Sequence, residues 1–192
     1  MRSVFNALLS LAAIIYTVFY MSLNELTTNE GALSKTGLKH PVLFFIWGIL
    51  IYIPLYTNIF MLAKCFGKIR QYHYIMAVSA LIGMAFTLIF KFDYSLRFQY
   101  FMHCAGSLVF SVCTGIAVFF TYLSGFRIKV FNAVLTIMIG IILIADLILL
   151  LIFKQNALIE GVPVIFALAA MPVTVMINNI QKDEKVLTNA AR

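Results

Sequence analysis

Residues 131–153 read FNAVLTIMIGIILIADLILLLIF, with one acid, Asp146, and no base. A helix needs about 20 apolar residues, with a range of roughly 17–25, to cross the hydrocarbon of a bilayer. This stretch meets that requirement alone and decides the class of the fold. Working outward, five more segments follow the same rule: about 4–22, 41–63, 73–90, 101–124 and 163–177. The last is short. It reaches full length if it begins near Ala157, which would set Glu160 at the lipid surface.

Composition supports the same reading. The chain has 192 residues, 63 % apolar and 11 % charged, against about 45–50 % and about 25 % in a soluble domain. A chain of this size has no interior large enough for so much apolar surface, so lipid must be the second solvent. This excludes a soluble globular enzyme, a disordered tail and a nucleic-acid module. The net charge of +7 does not argue for nucleic acid, because the bases sit between apolar runs and form no patch. Three cysteines make no disulfide framework. The expected fold is all-α: one domain over residues 1–192, six transmembrane helices in a compact antiparallel bundle.

Arg2 precedes the first apolar run, as in a signal peptide. That run is longer than a signal core, and no small-residue cleavage site follows Tyr20-Met21-Ser22-Leu23, so it reads as a retained anchor. Lys and Arg set orientation. Nine (Arg2, Lys64, Lys68, Arg70, Arg127, Lys129, Lys182, Lys185 and Arg192) share one side, against five (Lys35, Lys39, Lys91, Arg97 and Lys154) on the other. Four acids, Glu25, Glu30, Asp93 and Glu160, also fall on the second side. Both termini are therefore expected in the cytoplasm, and the compact architecture suggests a bacterial inner membrane. Residues 23–40 form the longest connection, and no internal repeat relates the two halves.

Polar groups inside the spans are the candidates for chemistry, because a charge at the bilayer centre costs about 2.5–3.5 kcal/mol on insertion scales. Asp146 lies seven residues before Phe153, roughly 10 Å below the outer end at 1.5 Å per residue. It reads either as a site for a proton, a cation or a polar ligand group, or as a neutral carboxyl fixing helix packing. His103, Ser107, Ser111 and Thr114 share one face of the fourth span, with Gly106 and Gly115 nearby. Such a stripe either lets helices approach closely or lines a cavity. Asp93, Arg97 and His103 gather at the mouth of this stripe at a depth similar to Asp146. Together they suit a phosphate headgroup or acid–base work, or equally an interfacial belt of snorkelling and aromatic side chains. Pro54 and Pro172 interrupt two spans; a kink repaired by Thr57 or a water is the simpler reading of Pro54.

Catalytic signatures are missing: no G-x-S-x-G, H-E-x-x-H or P-loop. His40, His73 and His103 are dispersed, with His73 at the opposite end of its span, so neither a metal site nor a cofactor is expected. Cys104 and Cys113 do not face each other on their helix, and Cys65 beside Lys64, Lys68 and Arg70 offers a palmitoylation pattern.

From the second to the fourth span the layout carries a further likeness. A basic turn (Lys64 to Arg70) precedes an apolar span with central Gly83. A short loop with Phe92-Asp93 follows, then a span opening on HCAGSLVF (His103 to Phe110). Over about 60 of the 192 residues this resembles the six-span Frag/DRAM superfamily and its bacterial relatives of unknown function. The resemblance implies a six-helix bundle with cytoplasmic termini, associated with lipid handling or membrane regulation, and implies no catalytic mechanism. Ser79, Asp93 and His103 also stand like part of the Ser–Asp–His set of ceramidase-type intramembrane hydrolases. No histidine follows His103, however, so the late H-x-x-x-H pair is missing and zinc hydrolysis is not expected.

Three functional classes remain. The first is a non-enzymatic membrane protein holding a lipid or other amphiphile in an outer-leaflet cavity, with Asp93, Arg97, His103, Ser107 and Asp146 as ligand-binding candidates and a role in lipid handling or transport. The second is an intramembrane lipid-modifying enzyme using Asp93, His103 and Asp146. The third is the membrane-embedded substrate-binding subunit of a larger transporter. Expected partners are membrane lipids and either a membrane-protein partner or a second copy of the chain.

Overall fold

The computed structural model describes residues 2–67 and 69–190. Among them are seven α-helices and no strand: α1 (Arg2–Met21), α2 (Leu33–Lys39), α3 (Pro41–Cys65), α4 (Gln71–Ile89), α5 (Arg97–Gly125), α6 (Val130–Phe153) and α7 (Ala157–Ala190). Six are long and apolar enough to cross a membrane, and the chain is a multi-pass membrane protein. Of the bases counted for orientation, Lys68 and Arg192 lie outside the described residues, as do the side chains of Arg2, Lys182 and Lys185.

The spans follow their apolar runs closely, with one informative difference. The sixth begins at Ala157, six residues ahead of Pro163, and Pro163 and Pro172 both lie inside continuous helix. Proline is tolerated in membrane helices because neighbouring groups can satisfy the backbone it disrupts. Pro54 likewise lies inside continuous α3. Thr57 gives its hydroxyl to the Ile53 carbonyl at 2.7 Å, and not to that of Leu50, the carbonyl that Pro54 deprives of its usual donor.

Helix α3 is the hub: α1 and α7 pack on it from one side, α4 and α5 from the other, and α6 closes the remaining gap between α5 and α7. Association inside lipid depends on close packing and interhelical hydrogen bonds, since lipid tails are as apolar as leucine. Both occur here. Asn6 donates to Asn58 Oδ1 at 2.5 Å, and Asn58 donates to Ser10 Oγ at 2.8 Å, a buried clasp between α1 and α3. Tyr52 and Tyr56 reach across to the α4 carbonyls of Ala77 and Met76. Helices α4 and α5 meet most closely at Gly83 and Gly106. A Cβ on Gly83 would stand 2.7 Å from the Gly106 carbonyl oxygen, and one on Gly106 2.6 Å from that of Gly83.

The long connection is folded onto the bundle and carries the short helix α2. Ala32, Leu33, Ser34, Thr36 and Gly37 are all buried. A Cβ on Gly37 would sit 2.8 Å from the Phe44 ring, so glycine lets α2 lie directly on α3. Three spans hold α2 in place. Tyr20 of α1 donates to the Leu33 carbonyl at 3.0 Å. Glu160 of α7 accepts from the Leu33 amide at 2.6 Å. Ser34 meets the Nε2 of His103 on α5 at 2.9 Å.

Candidate functional site

Beneath α2, between α3, α5, α6 and α7, lies a cavity of about 410 Å³, within the roughly 300–1,000 Å³ range of small-molecule sites. Both of its acids, Asp146 and Glu160, stand toward the α2 end with Ser34, Ser107 and Gln155. Its depth is mostly apolar, with Ser111 and Thr114 of α5 the polar groups there. Leu55 and Ile139 line the floor, each fourteen residues into its helix from that end, or roughly 20 Å at 1.5 Å per residue. Phe44, Trp47, Phe110 and Phe166 supply aromatic wall. Trp47, Tyr20 and Phe44 form a cluster of three rings, with the centroids of Tyr20 and Phe44 5.9 and 5.7 Å from that of Trp47 and 6.2 Å from each other.

The five ligand-binding candidates separate. Ser107 and Asp146 line the cavity. Ser111 and Thr114 from the same stripe join them, so three of the four stripe residues face open space and Gly106 serves the helix contact. Asp146 makes no hydrogen bond among the described residues. His103 does not line the cavity. It is 2 % exposed, with Nδ1 2.8 Å from the Phe90 carbonyl and Nε2 on Ser34. A carbonyl only accepts, so Nδ1 carries a proton, and Nε2 pairs with the Ser34 hydroxyl. Both nitrogens are thus committed to fastening α2 and the α4–α5 connection to α5.

Asp93 and Arg97 lie outside the cavity wall as well. Asp93 folds its own loop, accepting the Ser95 hydroxyl at 2.7 Å and the Ser95 amide at 2.9 Å. Those bonds, the hydroxyl first, hold its carboxyl below the ordinary aspartate value. Arg97 is exposed at the first residue of α5.

Sequence reasoning gave Glu160 no role beyond a place at the lipid surface. The structure turns it inward, where it caps α2 and lines the cavity with Asp146. The rule that an acid inside a membrane span faces the bundle interior would have found it. Its place in the first turn, next to the aqueous boundary, hid it. Thr87, Cys104 and Gln155 were likewise unforeseen members of the wall. No group of three or more His, Cys, Asp or Glu side chains suited to a metal occurs among the described residues.

These elements define a six-span membrane protein with an internal cavity, polar at the end covered by a short helix and apolar below. No protein-family model, curated protein or solved structure matches the chain.

Proposed function

We propose that the protein is a non-enzymatic binder of one amphiphilic molecule, a lipid or lipid-like compound, with a part in lipid handling or transport. The single observation carrying this reading is the cavity's polarity gradient. Both acids stand at one end, and below Asp146 roughly 10 Å of mostly apolar wall runs toward the membrane centre, with Ser111 and Thr114 its polar members. A headgroup fits the first and a chain the second. Ser107, Asp146 and Glu160 are the contacts assigned to the headgroup, and the aromatic and aliphatic walls those assigned to the chain. The resemblance to the Frag/DRAM superfamily supports the same reading. The charge bias adds an orientation, with both termini cytoplasmic in a bacterial inner membrane, which puts the α2 end in the outer leaflet.

The test is native mass spectrometry of protein extracted gently from its own membrane, with lipid analysis of whatever remains bound. One lipid class retained by the parent and lost from Asp146→Asn is the expected result. Bulk lipid alone, accompanied by a second polypeptide, would overturn it in favour of a transporter subunit.

A further inference from the structure

The headgroup end of the cavity has a one-sided charge. Asp146 and Glu160 both line it, and among the described residues no Lys, Arg or His does. Asp146 and Trp47 lie seven and six residues from the α2-side ends of α6 and α3, both roughly 10 Å deep. Carboxylates away from water are costly unless paired or neutralised, and Asp146 has no hydrogen-bonding partner of its own. The aromatic faces of Phe44 and Trp47 present negative quadrupoles, which attract ammonium groups within about 6 Å of a ring centroid. Trp47 shares this wall at a depth similar to that of Asp146. Trp47 is 7 % exposed, and its indole N–H is buried with no acceptor.

Resting on the amphiphile reading above, we propose that the ligand is a cationic amphiphile, a single-chain ammonium compound whose charge sits between Asp146 and Glu160. Attraction between opposite charges is strong here because the cavity wall excludes most water. The same site rejects anionic amphiphiles, since they would meet two acids with no compensating base.

Trp47 is the only tryptophan in the chain, so its fluorescence reports on this cavity alone. The experiment uses the full chain in vesicles of digalactosyldiacylglycerol, which carries neither charge nor amine. Three quenchers share one undecyl chain brominated at its fourth carbon, close to the headgroup and so level with Trp47, and end in trimethylammonium, hydroxyl or carboxylate. Quenching is read against the measured mole fraction of each probe in the bilayer, with a tryptophan octyl ester as the unbound reference. The expected result is saturable quenching by the ammonium probe at about tenfold lower mole fraction than the other two, equivalent to about 1.4 kcal/mol. Asp146→Asn should remove most of that advantage, bringing the ammonium curve close to the hydroxyl curve measured in the same variant. Equal saturable quenching by all three, or a lead for the carboxylate, overturns the cationic assignment while the amphiphile cavity stands. Linear quenching no stronger than the reference for every probe overturns the cavity reading itself. An ammonium preference that survives both Asp146→Asn and Glu160→Gln, each checked for folding by thermal unfolding, overturns the role given to the carboxylates.

Discussion

At the scale of single residues, the polar groups inside the spans divide into those that hold the fold and those left to a ligand. His103 belongs to the first kind. Its Nδ1–H meets the Phe90 carbonyl and its Nε2 the Ser34 hydroxyl, so His103→Ala strands two buried groups at once. A buried polar group left without its partner costs about 1–3 kcal/mol, and His103→Ala should lower the unfolding temperature clearly. Asp146 belongs to the second kind. With no hydrogen bond to lose, Asp146→Asn should unfold close to the parent temperature. Bound amphiphile, read by native mass spectrometry, should follow the opposite order, falling in Asp146→Asn and persisting in whatever fraction of His103→Ala stays folded. A parent-like melting temperature for His103→Ala would sink the division. Sequence alone could not separate the two side chains. Both were intramembrane polar residues at similar depth, and the partners that commit His103 come from 13 and 69 residues away.

At the scale of elements, the spans were legible and the short helix between the first two was not. Membrane helices declare themselves because lipid imposes a minimum apolar length, and 131–153 met it within one residue of its observed start at Val130. The connection LNELTTNEGALSKTGLKH carries no such run, and tertiary contacts, those with Tyr20, Phe44, His103 and Glu160 among them, hold seven of its residues as α2. The sixth span offered two starts in the sequence, Pro163 and Ala157, and the helix takes the earlier one because neighbouring packing carries it through Pro163. Packing by small residues was visible as pattern but not as partner. Gly83 and Gly106 turn out to be two sides of one contact, each blocking a Cβ on the other. Gly83→Ala and Gly106→Ala should each destabilise by about 1–3 kcal/mol through overpacking. Because they push apart the same pair of backbones, the double variant should cost clearly less than the sum of the two. Thermal unfolding of the three variants checks this, and full additivity would mean that the helices meet elsewhere.

At the scale of the whole molecule, the question is how a ligand reaches a cavity whose end is covered. Helix α2 is pinned from three spans, by Tyr20, His103 and Glu160, and opening it would break all three sets of bonds together. The wall on the other side is thinner. Leu108 lines the cavity and is 63 % exposed, and Ser111, one turn further along α5, is also both exposed and lining. Here the cavity faces the surrounding lipid beside α6, whose outward side chains, Ile141, Ile144 and Leu147 among them, are exposed. An amphiphile already dissolved in the bilayer can pass sideways through this opening without carrying its chain through water. Ser111→Phe narrows the opening and leaves the two carboxylates untouched. It should slow entry and exit alike, by about tenfold for a barrier raised by about 1.4 kcal/mol, with the equilibrium affinity little changed. Ser34→Ala removes the hydroxyl bond to His103 and loosens the cover, yet should leave both rates as they were. Stopped-flow quenching of Trp47 by the ammonium probe separates the routes. Rates that rise in Ser34→Ala and stay level in Ser111→Phe would move the door from the side of α5 to α2.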